Sequence, residues 1–330
     1  MIELTAYPRR RYTHGATPLE KLERLSRHLG GYGLYIKRDD CLGLAGGGNK
    51  TRKLEFVIAD ALEQGADTLI TSGSVQSNAC RLTASAAAIE GLQCRLALEE
   101  RIPGSYDPGA SGNNLLYSLL GTERIRSFPG GTDMSAAMEE MAEEARAEGR
   151  TPCVIPLGAG TPRGVLGYVE CAREIEEQAE RMGVRFDAVV HATGGSGGTQ
   201  AGLLIGFAES DRPIPVTGIC SGSPKEVQKE RVVELVRRTE NTLRLPVEVG
   251  PAAIMCRDDF VGPGYSRPTA EMAEAVRLTA RKEGILLDPV YSGKAMAGLI
   301  GMVREGTFTK DQNILFLHTG GVPGLYHFGV

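Results

Sequence analysis

Four segments carry residues whose types and spacing can do chemistry. The first is LAGGGNKTRK, residues 44–53. Glycines and an asparagine lead into Lys50, which opens a helical period. A lysine at a helix start in a glycine-lined cleft has its amine pKa lowered by the dipole and by desolvation, and can form a Schiff base with a carbonyl. A flexible turn with a solvated lysine fits the same letters. A nucleotide phosphate loop does not, because Asn49 separates Gly48 from Lys50.

The second is ATGGSGGTQ, residues 192–200, between an apolar AVVHAT run and the helical TQAGLLIGFA. Four glycines with Ser196 and Thr199 gather backbone N–H groups at a helix start, a site for a dianionic phosphate. A plain strand-to-helix turn needs one or two glycines. The spacing is not G-x-G-x-x-G and no ribose-binding acid follows, which disfavours a dinucleotide. The third is SGSVQSNACR, residues 72–81, where Ser74, Gln76, Ser77 and Asn78 crowd a helix start. N-capping explains one of them. Capture of an anion such as a substrate carboxylate explains the group, and both readings stand. The fourth comprises GPGY (262–265), DPVYSGK (288–294) and HTGG (318–321). Tyr265 and Tyr291 sit in Gly/Pro-flanked turns, although each alone reads as a buried tyrosine with one hydrogen bond. His318, beside a strand end, reads as a structural histidine.

These segments need elements to position them. Short β-branched runs at 34–37, 68–71, 94–98, 153–156, 188–192, 216–220 and 314–317 read as strands. Helical periods between them lie near 50–62, 77–90, 113–120, 135–148, 164–181, 199–208, 225–238, 270–283 and 293–304. Such alternation predicts an α/β fold of helix-covered parallel sheets, with ligands beyond the carboxyl ends of the strands. Residues 104–112 read as a loop, and 237–246 as a second.

The chain has 330 residues, enough for about two domains, and 43 of them are glycine. A net charge of −4 gives no basic field for nucleic acid or an anionic membrane. No apolar run is long enough to span a bilayer, and the N-terminus lacks a signal-peptide stretch. Seven scattered cysteines without a C-x-x-C suggest neither a metal site nor a disulfide framework, so a reducing cytoplasm is expected.

A Schiff-base lysine, a separate phosphate cup and a carboxylate-binding helix start are together the parts a pyridoxal phosphate enzyme requires. The chain resembles the fold-type II (tryptophan synthase β-like) pyridoxal phosphate enzymes. Within them it resembles the branch of D-cysteine desulfhydrase, L-cysteate sulfo-lyase and 1-aminocyclopropane-1-carboxylate deaminase. The likeness runs through TPLE (17–20), KRDD (37–40), GGNKTRKLEF (47–56), QSN (76–78), GYVECA (167–172), LLDPVYSGKAMAGLI (286–300) and LHTGG (317–321). It implies two open parallel-sheet three-layer domains with the active site in the cleft between them. The large cofactor-binding domain would be 1–49 with 155–330, and the small mobile one 50–154. A homodimer acting on a small amino acid is implied as well.

The cofactor implied is pyridoxal 5′-phosphate. By the same resemblance Lys50 holds its aldehyde and takes the substrate α-proton, and Lys53 helps to neutralise the phosphate. Asn78 meets the ring 3-hydroxyl. Gln76, Ser77, Asn78 and the backbone of Ala79 form the substrate side. Thr193, Gly194, Gly195, Ser196, Gly197, Gly198 and Thr199 form the phosphate loop, one glycine longer than the usual form. Tyr265 and Tyr291 face the substrate, and Ser292 and Thr319 fall near the pyridine nitrogen. The deaminase branch has a glutamate where Ser292 stands, and a carboxylate there keeps the ring a strong electron sink. The family commonly reads QSNH, whereas Ala79 follows Asn78 here. Cys41 and PGGTDM (129–134) look closer to the cysteate enzymes. The implied reaction is a β-elimination from D-cysteine or L-cysteate that gives pyruvate, ammonia and sulfide or sulfite. Ring-opening deamination, β-replacement and non-catalytic ligand binding are the alternatives.

Overall fold

Ten strands form two separate sheets in the computed structural model, which describes residues 1–329. They are β1 (Leu19–Lys21), β2 (Gly33–Arg38), β3 (Thr68–Ser74), β4 (Gln93–Glu100), β5 (Arg124–Pro129), β6 (Pro152–Ile155), β7 (Ala188–Thr193), β8 (Val216–Cys220), β9 (Met255–Arg257) and β10 (Asn313–His318). The larger sheet runs β1-β2-β10-β7-β8-β9 and the smaller β5-β4-β3-β6. Only the β1–β2 pair is antiparallel. Strands covered on both faces by helices have no polar face to show. β3 and β7 are accordingly buried along their whole length.

The helix Pro162–Met182 forms the spine of the larger unit. Thr161 caps it by accepting from Gly164 N, Pro162 fills its first turn, and Gly183 ends it at φ +63°. Its face of Val165, Leu166, Val169, Ala172 and Ile175 is wholly buried. The neighbouring helix Gly198–Phe207 crosses it closely because Gly202 and Gly206 lack side chains. A Cβ there would meet Tyr168 Cβ at 2.3 Å and Ala172 Cβ at 2.5 Å.

The TPLE and KRDD stretches act as an anchor. Asp39 accepts from Thr17 Oγ1 at 2.9 Å, from Arg52 Nε at 2.8 Å and from Tyr168 Oη at 2.7 Å. Arg52 also pairs with Glu174 at 2.8 Å. This buried network fixes the helix Lys50–Glu63 to the end of β2 and to the spine, and so fixes the position of Lys50.

One expectation needs correction. The helix Lys225–Leu243 continues through the first part of the segment expected to be a loop. Leu235, Val236 and Thr239 keep its inward face buried while the polar residues between them face out. The strands β1, β5 and β9 lie outside the expected set; β5 is a half-exposed edge strand, RIRSFP, with no apolar alternation to reveal it.

Candidate active site

A cavity of about 940 Å³ opens between the two sheets. The lysine turn, the segment after β3, the glycine loop after β7, both late tyrosines and Thr319 all line it.

Gly46, Gly47 and Gly48 all take positive φ, and a Cβ on Gly47 would lie 1.7 Å from Asp40 O. This turn delivers Asn49 and Lys50 to the cavity. Asn49 Nδ2 donates to Thr199 Oγ1 at 2.9 Å, and its Oδ1 accepts from Lys50 Nζ at 2.9 Å. The asparagine therefore ties the lysine to the glycine loop. Burial, and then the Arg81 guanidinium, push the Lys50 amine down to about 8, with Asp288 acting the other way. Arg81 donates to Asn78 Oδ1 at 2.8 Å, to Asn113 Oδ1 at 2.7 Å and to Gly47 O at 2.7 Å. It joins the lysine turn to the helix Asn78–Glu90.

Lys53 is buried one helical turn beyond Lys50. A Cβ on Gly198 would come within 3.0 Å of its Nζ. Burial, and then the charge of Lys50, drive its amine well below the ordinary range. Gly197 stands at φ +70°, where a Cβ would strike Val232 Cγ2 at 2.6 Å. A Cβ on Gly194 would meet Ser221 Oγ at 2.3 Å. Thr193, Gly194, Gly195, Ser196, Gly197, Gly198 and Thr199 all line the cavity, where they open the helix Gly198–Phe207. Its first-turn N–H groups lack intrahelical partners.

Ser77 caps the helix Asn78–Glu90, its Oγ accepting from Cys80 N at 3.2 Å. Its O–H remains free to donate. Asn78 Oδ1 is taken by Arg81 and by Asn113 Nδ2, which leaves the Asn78 amide nitrogen for a ligand. Ala79 lines the wall. Gln76 does not. Its Oε1 accepts from Asn113 N at 2.7 Å and its Nε2 donates to Ser111 O at 3.0 Å, so it props a neighbouring loop and not the substrate side.

Tyr265 Oη and Tyr291 Oη stand 2.6 Å apart. Burial, and then Tyr265, hold the Tyr291 phenol well above its ordinary pKa. The buried Lys294 donates to Val261 O and Gly264 O, both at 2.7 Å, and so fixes the turn that carries Tyr265. Ser292 is placed otherwise than expected. Its hydroxyl donates to Asp288 Oδ1 at 2.7 Å and accepts from Asp288 N at 2.8 Å. The Asp288 carboxylate also takes the N–H groups of Val290, Tyr291 and Ser292. Ser292 is fully buried and absent from the cavity wall, which Thr319 and Gly320 form instead. His318 Nδ1 accepts from Gly320 N at 3.2 Å, which leaves Nε2–H for Leu286 O at 3.0 Å. It is a structural histidine, kept neutral by burial.

Arg81, Asp288 and Lys294 were not foreseen as site residues. Asp288 alone left a signal, an Asp-Pro ahead of a helix start. Arg81 and Lys294 sit within apolar helical runs and carry none.

A family model described as pyridoxal-phosphate dependent enzyme matches residues 11–320. The chain belongs to the pyridoxal-phosphate dependent enzymes. It is 45% identical over 327 residues to a D-cysteine desulfhydrase of Yersinia enterocolitica, covering 99% of this chain and 97% of that one. It is 41% identical over 334 residues to a 1-aminocyclopropane-1-carboxylate deaminase of Allorhizobium ampelinum, covering 99% and 98%. A crystal structure titled as an ACC deaminase homologue superposes with a TM-score of 0.89 at 39% identity, covering 99% of this chain and 95% of that one. An O-ureido-L-serine synthase shares the fold alone, at TM-score 0.66 and 19% identity over 96% of this chain and 92% of that one. The fold is therefore the fold-type II one, and the cofactor is pyridoxal 5′-phosphate. The residues fit it. The glycine loop leaves a cradle that side chains would fill, Lys53 lies behind that cradle as a buried cation-forming group, and Lys50 reaches the cavity beside it.

Proposed function

We propose that the protein is a carbon–sulfur lyase that converts D-cysteine and water to pyruvate, sulfide and ammonia by β-elimination. Ser292 is the observation that carries this reading. Its hydroxyl and Asp288 close on each other, so no carboxylate lines the Thr319 end of the cavity. A pyridine ring that met the Thr319 hydroxyl and no carboxylate would be a weaker electron sink. That suits expulsion of a good leaving group better than the opening of an unactivated cyclopropane. The similarity to D-cysteine desulfhydrases supports the reading, and the similarity to deaminases makes ring opening the rival.

Pyridoxal phosphate, when bound, would supply an electron sink for the pair left at the substrate α-carbon. The protein's own residues do the rest. Lys50, with its amine near 8, accepts the α-proton at Nζ. The Ser77 hydroxyl and the first N–H groups of the helix Asn78–Glu90 receive the substrate carboxylate. Tyr291, held protonated by burial, donates to the departing sulfur. The unit of residues 50–154 closes over the cleft and excludes water. A homodimer in a reducing cytoplasm belongs to the same reading.

A second reading is favoured by Arg101, a cavity-lining cation whose guanidinium lies 4.5 Å from the Tyr265 ring centroid. It suits L-cysteate, whose β-substituent is anionic. A product screen of the holoenzyme separates the readings. Sulfide with pyruvate is expected from D-cysteine. Sulfite from L-cysteate would move the assignment to that substrate, and 2-oxobutanoate from aminocyclopropane carboxylate would overturn the elimination.

A further inference from the structure

Ser74 closes β3, and its hydroxyl does not join the anion-binding helix start to which its position in the sequence assigned it. Its Oγ lies 2.9 Å from Tyr265 Oη, which itself lies 2.6 Å from Tyr291 Oη. Ser74 stands opposite Glu99 in the β3–β4 register. Arg101, two residues past Glu99, pairs with it at 2.7 Å and covers the Tyr265 ring. Two adjacent strand ends of the smaller sheet thus grip a tyrosine carried by the larger unit.

A row of three hydroxyls has three protons and two links to fill. One proton is left over, and the direction of the row decides where. We infer that Ser74 is a positioning residue that sets this direction: it donates to Tyr265, Tyr265 donates to Tyr291, and the Tyr291 proton is left free for the cavity. In the opposite direction the free proton would end on Ser74 and Tyr291 could give nothing to a substrate. The Arg101 guanidinium over the Tyr265 ring holds that ring in place between Ser74 and Tyr291. Tyr291 Oη has no other hydrogen-bond partner among the described residues and lines the cavity, so in this direction its proton faces the ligand space.

The inference rests on the elimination proposed above. As the Cβ–S bond breaks, its electron pair leaves with sulfur. The Tyr291 O–H bond breaks and an S–H bond forms. The Tyr265 proton refills Tyr291, and water entering after product release restores the row. A leaving group that departs without a proton does not need this sequence.

The test compares Ser74→Ala with the wild-type holoenzyme on D-cysteine and on β-chloro-D-alanine, whose chloride leaves unprotonated. The expected result is a fall in kcat of about tenfold for sulfide release and less than about twofold for chloride release, with recovery in Ser74→Thr. Equal losses on both substrates, or no loss on D-cysteine, overturn the inference. A wild type that releases chloride but no sulfide defeats the functional reading alone. The row is then read in the apoprotein from the Raman ring bands of tyrosine, which tell a phenol that donates from one that accepts and are uncluttered because the chain has no tryptophan. In Ser74→Ala the Tyr265 signal, isolated by difference against Tyr265→Phe, should move from that of a phenol that accepts and donates to that of one that only donates. An unchanged Tyr265 signal overturns the inference.

Discussion

Lys50 and Lys53 stand one turn apart on the same helix, and the charge bearing on Lys53 is that of Lys50, with no carboxylate to offset it. A buried cation without a counter-ion is unfavourable unless a ligand brings the charge. The glycine loop beside Lys53 is where that ligand's phosphate belongs. Lys53→Met should therefore weaken pyridoxal phosphate binding by about tenfold or more, a loss on the scale of one charge-assisted contact. Titration of the apoprotein with cofactor reads this. Lys50→Met should retain binding but lose the visible to near-ultraviolet band of lysine-bound cofactor.

The depressed Lys50 amine makes the apoprotein pH-sensitive. Its folded pKa of about 8 lies below the ordinary 10.5, so the unfolded chain binds more protons between those values. Stability from this group is lowest below about 8 and rises as pH climbs to 10.5. The thermal midpoint of the wild-type apoprotein should gain on that of Lys50→Met across this window. A difference independent of pH would contradict the assigned shift.

Ser292→Ala should act on stability and not on chemistry. The substitution removes the hydroxyl that both donates to and accepts from Asp288, at a cost of about 1–3 kcal/mol. Turnover of a substrate with a good leaving group should remain within about threefold, because the hydroxyl does not reach the cavity. Ser292→Glu would put a second carboxylate against Asp288, so it should lower the melting temperature further instead of simply installing deaminase chemistry. Melting curves and steady-state rates on the same preparations check both.

Ala79 lines the cavity wall with no side chain beyond its methyl group. Ala79→His should lower kcat/KM for S-alkyl cysteines by about tenfold relative to D-cysteine, the scale at which pocket shape discriminates. Competition between the two substrates reads the ratio directly, and an unchanged ratio removes Ala79 from the determinants of selectivity.

Most of the fold was legible because its signals are local. Fully apolar strands and strongly periodic helices announce themselves, and the glycine clusters fell where backbone meets cavity. β5 was not legible, because an edge strand with a wet face has no distinctive pattern. The candidate site was readable as a set of ligands but not as a network. Gln76 and Ser292 lie within stretches that match the family, yet each turns to a neighbour that only the packed structure supplies: the Asn113 amide and Asp288. Ser74 shows the same limit: the sequence groups it with the anion-binding helix start, and tertiary contact places it on Tyr265 instead. Such links join residues far apart in the chain, and no local period encodes them.

The central claim is elimination of sulfur from D-cysteine, and a product balance on the holoenzyme tests it most directly. Sulfide and pyruvate should each appear in a one-to-one ratio to the D-cysteine consumed, with no new amino acid formed when a second thiol is added. Consumption of D-cysteine without sulfide, or pyruvate replaced by a thioether amino acid in the presence of that thiol, would contradict the account.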